Sequence, residues 1–539
     1  MRQTQAHRKS AEARLCARRT VLLGCATMLA ATGIAHAEAT KQDVQAVPGH
    51  GTHQLLAQAP SAPTSPTSRD SLFDDTPAAK TPSKPTSRDS LFDDTPAAKT
   101  PSKPASRDAL FGDASAADKP QPASAWRGFI QGEVARAYRD PEHWSKARLR
   151  AEVTRQGRFS QNVKWKIGGR FDYDAAYDHG SFYAPDVRRD QRYDFTLREN
   201  YLDISTDGNW EFRLGRQHVV WGELVGAFVA DVVSARDMRE FILPEPELQM
   251  LRIPQWAARA EYFGKDVKAE LLWIPVPSFD DIGKPGIPGV RGAAGADFYP
   301  YPIPGPGGSQ FLGEVRPSRK LSNTNYGVRA SALKSGWDFS GFYYHSLDVS
   351  PTFYRQVLPG PAPGLPVFLY QARHDKIDQV GGTVSKDLGS SVFKGEAVYT
   401  TGRSFNVTRI AQQSGLVEQD TIDYALALDF NLPNDARLNV QFFQRVYRDH
   451  DPDTLQRKYE SVVSVLFDAV KLGTNLEGRL LLAHSLNRSD WLLRPKLTWT
   501  FEQNWRLAVG VDIFSGPPTA VFGRFDNNDR VFAEVRYSF

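Results

Sequence analysis

Basic side chains recur two residues apart in segment after segment: Arg148 and Arg150, Lys164 and Lys166, Arg494 and Lys496. That spacing places both members of a pair on one face of a β-strand, because successive residues point to opposite sides of a sheet. Apolar residues fill the alternate positions. Val163, Trp165 and Ile167 interleave with Lys164 and Lys166; Leu493, Leu497 and Trp499 interleave with Arg494, Lys496 and Thr498. The polar faces of the clearest strands carry twelve basic residues: Arg148, Arg150, Lys164, Lys166, Arg170, Arg213, Arg259, Lys268, Arg494, Lys496, Arg506 and Arg536. Six acidic residues share those faces: Glu152, Asp172, Glu261, Glu270, Asp512 and Glu534. A watery space lined this way has a positive potential and favours anions. The plainer reading is that these charges pair across neighbouring strands and keep the wall wet and rigid.

A second set of reactive side chains lies in the least strand-like stretch, 219–253. Within it, Val232, Val233 and Phe241 have helical spacing, and the pattern ends before Pro244. The expectation is a segment folded into the lumen as a constriction, offering Arg236, Asp237, Arg239 and Glu240 to solute. Capping the outer rim is the alternative.

Catalytic chemistry has little support. Ser340 and His345 can be paired on paper, but no motif fixes them together. No His/Asp/Glu spacing points to a metal, and no phosphate-cradling glycine loop precedes a helix. The expected protein is therefore no enzyme and carries no cofactor. Nucleic-acid binding is also disfavoured, because the formal net charge of +4 comes partly from the N-terminal leader.

The elements that must position these faces are strands. Short polar turns recur at 157–162, 206–209, 263–266, 334–336, 387–390, 432–435, 471–474 and 502–504. Between them lie mostly longer connections, around 137–146, 175–191, 219–253, 277–324, 347–374, 403–419, 449–457, 486–490 and 515–529. Short and long alternate without a break, the rhythm of a transmembrane barrel with tight periplasmic turns and long outer loops. The predicted fold is all-β: a transmembrane antiparallel β-barrel over 126–539 with about 18 strands, 16 being the alternative around 192–204 and 347–374. Pro495, inside a strand, predicts a bulge. The last strand alternates Val531, Ala533, Val535, Tyr537 and Phe539 with Glu534, Arg536 and Ser538. Tyr537 and Phe539 resemble the signal by which barrel-assembly machinery inserts outer-membrane barrels. That strand is expected to pair with the one beginning near Trp126. The mean hydropathy of −0.45 is compatible with this, since a barrel dilutes lipid-facing residues with lumen-facing ones.

Residues 1–37 read as a secretory signal: Arg2, Arg8, Lys9, Arg14, Arg18 and Arg19, then an apolar run from Val21 to Ile34, then Ala35-His36-Ala37. Both cysteines, Cys16 and Cys25, fall inside it, which excludes disulfides and thiolate sites from the mature chain. Residues 38–125 are rich in Pro, Ala, Ser and Thr and predict a disordered periplasmic tether. Ser68-Arg69-Asp70-Ser71-Leu72-Phe73 recurs at a 19-residue period around Leu91-Phe92 and, in degraded form, Leu110-Phe111. The copies read as an expanded spacer or as docking motifs through which Leu72, Phe73, Leu91, Phe92, Leu110 and Phe111 bind a periplasmic partner.

Gly215-Arg216-Gln217, Val219 and Trp221-Gly222-Glu223 form a stretch that resembles the hallmark of a proteobacterial outer-membrane family, domain of unknown function 1302. Val232-Val233-Ser234 with Arg236-Asp237, and Pro254 with Trp273-Ile274-Pro275, fit it too. The family is also distantly similar to barrels that export alginate. The resemblance implies a porin-like barrel in outer-membrane lipid and supplies neither a substrate nor catalytic residues. The expected function is passage of a polar, anionic solute or an exported compound, with periplasmic partners. An outer-membrane anchor, adhesion or assembly protein with little conductance is the alternative from another class.

Overall fold

The computed structural model describes residues 126–539 except 225, 227, 240–247, 288, 289 and 291. The expected signal, both cysteines and the Leu-Phe repeats lie outside the described residues.

Eighteen strands form one closed antiparallel barrel. The first five are β1 (Arg127–Ala137), β2 (His143–Ser160), β3 (Val163–Asp174), β4 (Tyr193–Leu197 continued by Asn200–Ser205) and β5 (Trp210–Gln217). The next eight are β6 (Gln255–Phe263), β7 (Val267–Val276), β8 (Asn325–Lys334), β9 (Trp337–Leu347), β10 (Lys376–Asp387), β11 (Ser391–Thr401), β12 (Thr421–Asn431) and β13 (Arg437–Tyr447). The remainder are β14 (Tyr459–Lys471), β15 (Leu476–Ser485), β16 (Asp490–Glu502), β17 (Trp505–Ser515) and β18 (Arg530–Ser538). Each pairs with its neighbours in sequence, and β18 closes on β1 from Phe129–Ser538 to Ala137–Arg530. Gly128 and Phe539 exchange two backbone hydrogen bonds of 2.9 Å beyond that ladder.

The period of two sets the faces. Ile130 and Val134 of β1, Leu149 and Val153 of β2, and Leu271 and Trp273 of β7 are exposed, while Gln131, Arg150 and Glu270 on the alternate face are buried. A wall greasy outside and polar inside requires lipid on one side and water on the other. Aromatic residues ring the turn end, with Trp210 against Tyr262 and Trp505 against Tyr537.

The strands predicted within 192–204 are one barrel strand, β4, interrupted at Arg198 and Glu199. Two strands within 347–374, Thr352–Leu358 and Val367–Arg373, join Ser309–Val315 in a separate three-stranded sheet built from loops. Pro495 brings no bulge. The β16–β17 register is the same at Leu493–Ile513 and Lys496–Gly510, so the ladder skips the residue that lacks an N–H without slipping.

Candidate pore constriction

The connection from β5 to β6, 218–254, enters the barrel. Gly215, at φ +129°, starts the departure: a Cβ there would lie 2.4 Å from the Asn200 carbonyl oxygen, so only glycine fits. Arg216 Nε donates to the Leu197 carbonyl at 2.7 Å. Gln217, wholly buried, donates from Nε2 to the Ala257 carbonyl at 3.0 Å and ties β5 to β6 where the ladder ends. Val219 and Trp221 then pack inside, and the Trp221 Nε1 donates to Glu270 at 2.9 Å. At Gly222 a Cβ would meet the Asp231 amide at 2.8 Å.

One carboxylate holds the segment in place. Glu396 of β11 accepts the backbone N–H groups of Glu223, of Leu224 at 2.9 Å and of Ala230 at 2.8 Å. Thr383 of β10 donates to the Glu223 carboxylate at 3.3 Å. Around these polar anchors Val219, Trp221, Leu224, Val229, Ala230 and Val233 form a buried cluster with Leu272, Ile274, Phe342, Tyr344, Val398, Ala425 and Ala427. The segment therefore lines the inner wall from β6 to β12. Sequence alternation alone did not reveal Glu396 as an anchor, because nothing local distinguishes it from any lumen carboxylate.

The opposite wall, β16 to β18 and β1 to β5, is basic. Lys146 and Arg148 share Glu133, Arg150 and Arg170 share Asp172, and Arg494 and Arg530 share Asp512. Lys496 meets Glu534 at 2.8 Å and Lys166 meets Glu199 at 2.8 Å. Arg213 pairs with Asp203, and beyond this wall, on β6, Arg259 pairs with Glu261 at 3.0 Å. Lys164 stands across from Asp203, and Arg506 across from Arg536. Both readings of the charged faces thus have a structural counterpart: the groups pair across strands, yet single carboxylates serve two cations.

Arg236, Asp237 and Arg239 gather at the outer end of this segment. The Arg236 amide donates to Asp280 at 2.8 Å, and its guanidinium lies 4.8 Å over the Phe228 ring. Asp237 accepts two 2.8 Å bonds from Arg239, which also reaches Asp194 and Asp281. Burial pulls the Asp237 carboxyl upward, but Arg239 and then Arg170 outweigh it and hold it below the usual carboxylate range. Burial lifts the Asp281 carboxyl to about 6; Arg239 opposes the lift, while Asp237 and Asp190 add to it. Glu240 lies outside the described residues. The predicted helix is absent over Asp231–Arg239: Val233 turns into the buried cluster, and Ala235–Arg236 pairs with Arg252–Ile253 as a two-residue ladder. The nearest described helix is Leu248–Leu251.

The connection from β7 to β8, 277–324, crosses the mouth. Asp297 accepts from Tyr183 at 3.0 Å, lies 3.2 Å from His143 Nε2, and accepts from Asn528 at its carbonyl. Phe298 beside it packs on Phe514 and Phe525 and joins a buried cluster with Leu466, Leu481 and Leu492 of the far wall. Two loops therefore narrow one lumen. Ser340 and His345 do not meet. Ser340 shares a 2.8 Å hydroxyl bond with lumen-facing Thr383, and His345 stacks on outward-facing Tyr326.

Solved structures that match include OccAB3 of Acinetobacter baumannii (9% identity, 77% of this chain and 99% of that one, TM-score 0.43). OpdK of Pseudomonas aeruginosa with vanillate matches at 10% identity over 77% and 98%, TM-score 0.42. OmpF of Salmonella typhi in complex with daunomycin matches at 8% identity over 77% and 97%, TM-score 0.36. No curated protein sequence matches the chain. A family model described as protein of unknown function (DUF1302) matches residues 143–539, and the chain, a closed 18-stranded β-barrel, belongs to that family.

Proposed function

We propose that this protein is a porin-like channel of a bacterial outer membrane that passes small polar solutes and favours anions. The observation that carries the reading is the division of the lumen: an inward segment anchored on Glu396 covers one wall, and the wall left facing it is lined with arginine and lysine. A barrel of about this strand number leaves a space that wall side chains cannot fill. Folding a loop into that space narrows it, and the basic face raises the local anion concentration. Arg148, Arg150, Lys164, Lys166, Arg170, Arg213, Arg494, Lys496 and Arg506 act as the electrostatic lining, with Arg236, Asp237 and Arg239 at its outer end. No group transfer is assigned to any of them. The N-terminal repeats serve as a periplasmic spacer.

The test is the zero-current potential of the purified protein in a planar bilayer under a tenfold potassium chloride gradient. A potential with the sign set by chloride supports the reading. One with the sign set by potassium overturns the anion preference.

A further inference from the structure

Strand β5 stops short, and β4 does not. Asn200 is the last β4 residue paired with β5, opposite Arg216, whereas among the described residues Tyr193–Leu197 pair with β3 alone. Along that segment Tyr193, Phe195 and Leu197 are exposed on the lipid face, and Asp194 and Thr196 alternate with them on the lumen face. Among the described residues no strand takes the backbone groups of that edge, and a hydrocarbon environment penalises each unsatisfied group by several kcal/mol. Among the described residues, the group that meets this edge is the Arg216 guanidinium, on the Leu197 carbonyl.

A cavity of about 400 Å³ wraps the edge. Phe195 and Leu197 line it from the outer face, and Arg170, Asp194 and Arg239 line it from the inner face. Residues from both faces of one strand can share a cavity only where that strand lacks a neighbour. A second crevice, of about 440 Å³, lies between Trp256, Pro275 and Val276 and the loop residues Arg316 and Arg319. Arg216, Ile253 and Asp281 line both spaces, so one layer of side chains separates them. Arg216 makes no ion pair among the described residues. A guanidinium at the lipid boundary without a countercharge is costly, and an anionic head group removes that cost through paired N–H donors.

We propose that this break in the wall is a lateral site for an anionic amphiphile of the outer leaflet. Its carboxylate, phosphate or sulfate head meets Arg216, and its chain lies against Phe195, Leu197 and Trp256. The site deepens the channel reading by naming a substrate class, and it rests on that reading for the barrel's place in the membrane.

The probe is a dibrominated octadecanoate added to the purified full chain in detergent, read as tryptophan quenching and compared between wild type and Trp256→Phe. Saturable quenching present in wild type and missing in the variant is expected. Arg216→Gln weakens it about tenfold, the worth of one charge-assisted bond. Bromopropionate, which has the head without the chain, leaves Trp256 unquenched. Equal quenching in Trp256→Phe, unchanged affinity in Arg216→Gln, or equal potency of bromopropionate overturns the proposal. Should Arg216→Gln fail to fold, a brominated alkyl ammonium on the wild type decides: equal quenching by that cation overturns it. Small-ion conductance is recorded on the same sample. Conductance without Trp256 quenching rejects this site alone, whereas quenching without conductance rejects the channel reading alone.

Discussion

Removing the Glu396 carboxylate should release the inward segment without unfolding the barrel. The side chain is 4% exposed and takes three backbone N–H groups, from Glu223, Leu224 and Ala230. In Glu396→Ala those donors lose their acceptor. An unsatisfied buried donor costs at least about 1 kcal/mol, so the docked segment loses roughly 3 kcal/mol. At 1.4 kcal/mol per decade, the balance between docked and displaced forms moves about a hundredfold. The barrel ladder of β10, β11 and β12 does not pass through that side chain and keeps its heat-modifiable gel mobility. Single-channel recording should show larger and noisier conductance steps, with high-conductance events about a hundred times more frequent. Glu396→Gln keeps an acceptor oxygen for Glu223 and Leu224 but turns an amide N–H₂ toward Ala230, so its effect should be about tenfold. Wild-type steps and wild-type noise in Glu396→Ala would refute the reasoning.

Three other outcomes follow from the same geometry. Trp221→Ala empties a wholly buried indole site and removes one donor from Glu270, costing about 3–5 kcal/mol locally, and limited proteolysis should cut 218–239 faster than in wild type. Asp281 is charged above its value of about 6 and neutral below it, so the positive potential around Arg239 rises as pH falls. The chloride-to-potassium permeability ratio should therefore climb between pH 7 and pH 5, and Asp281→Asn should flatten that climb at the high value. Lys496→Gln together with Arg506→Gln should lower the ratio at pH 7, as read from the zero-current potential.

Much of the wall was legible because a barrel strand writes its environment into every second residue. Val163, Trp165 and Ile167 could face lipid only if Lys164 and Lys166 faced water. The turn rhythm gave the strand number for the same local reason. What could not be read locally was the lumen. Leu224 meets Glu396 across 172 residues of sequence, and Phe298 meets Phe514 on the far wall. The helical spacing of Val232 and Val233 misled because both side chains pack against one buried cluster without a helix between them. The interruption of β4 at Arg198 and Glu199 left no alternation signal, since Leu197 and Asn200 each fit a strand on their own. The hallmark 215–223 carried more than its resemblance: Gly215, Gln217, Trp221 and Gly222 each answer a close contact that turns the chain into the barrel.

The most direct measurement is single-channel conductance of the full-length protein, purified in its folded, heat-modifiable form and added to a planar bilayer. An open, narrowed lumen gives discrete, reproducible steps that rise with salt concentration. A folded barrel that inserts and yields no steps would contradict it.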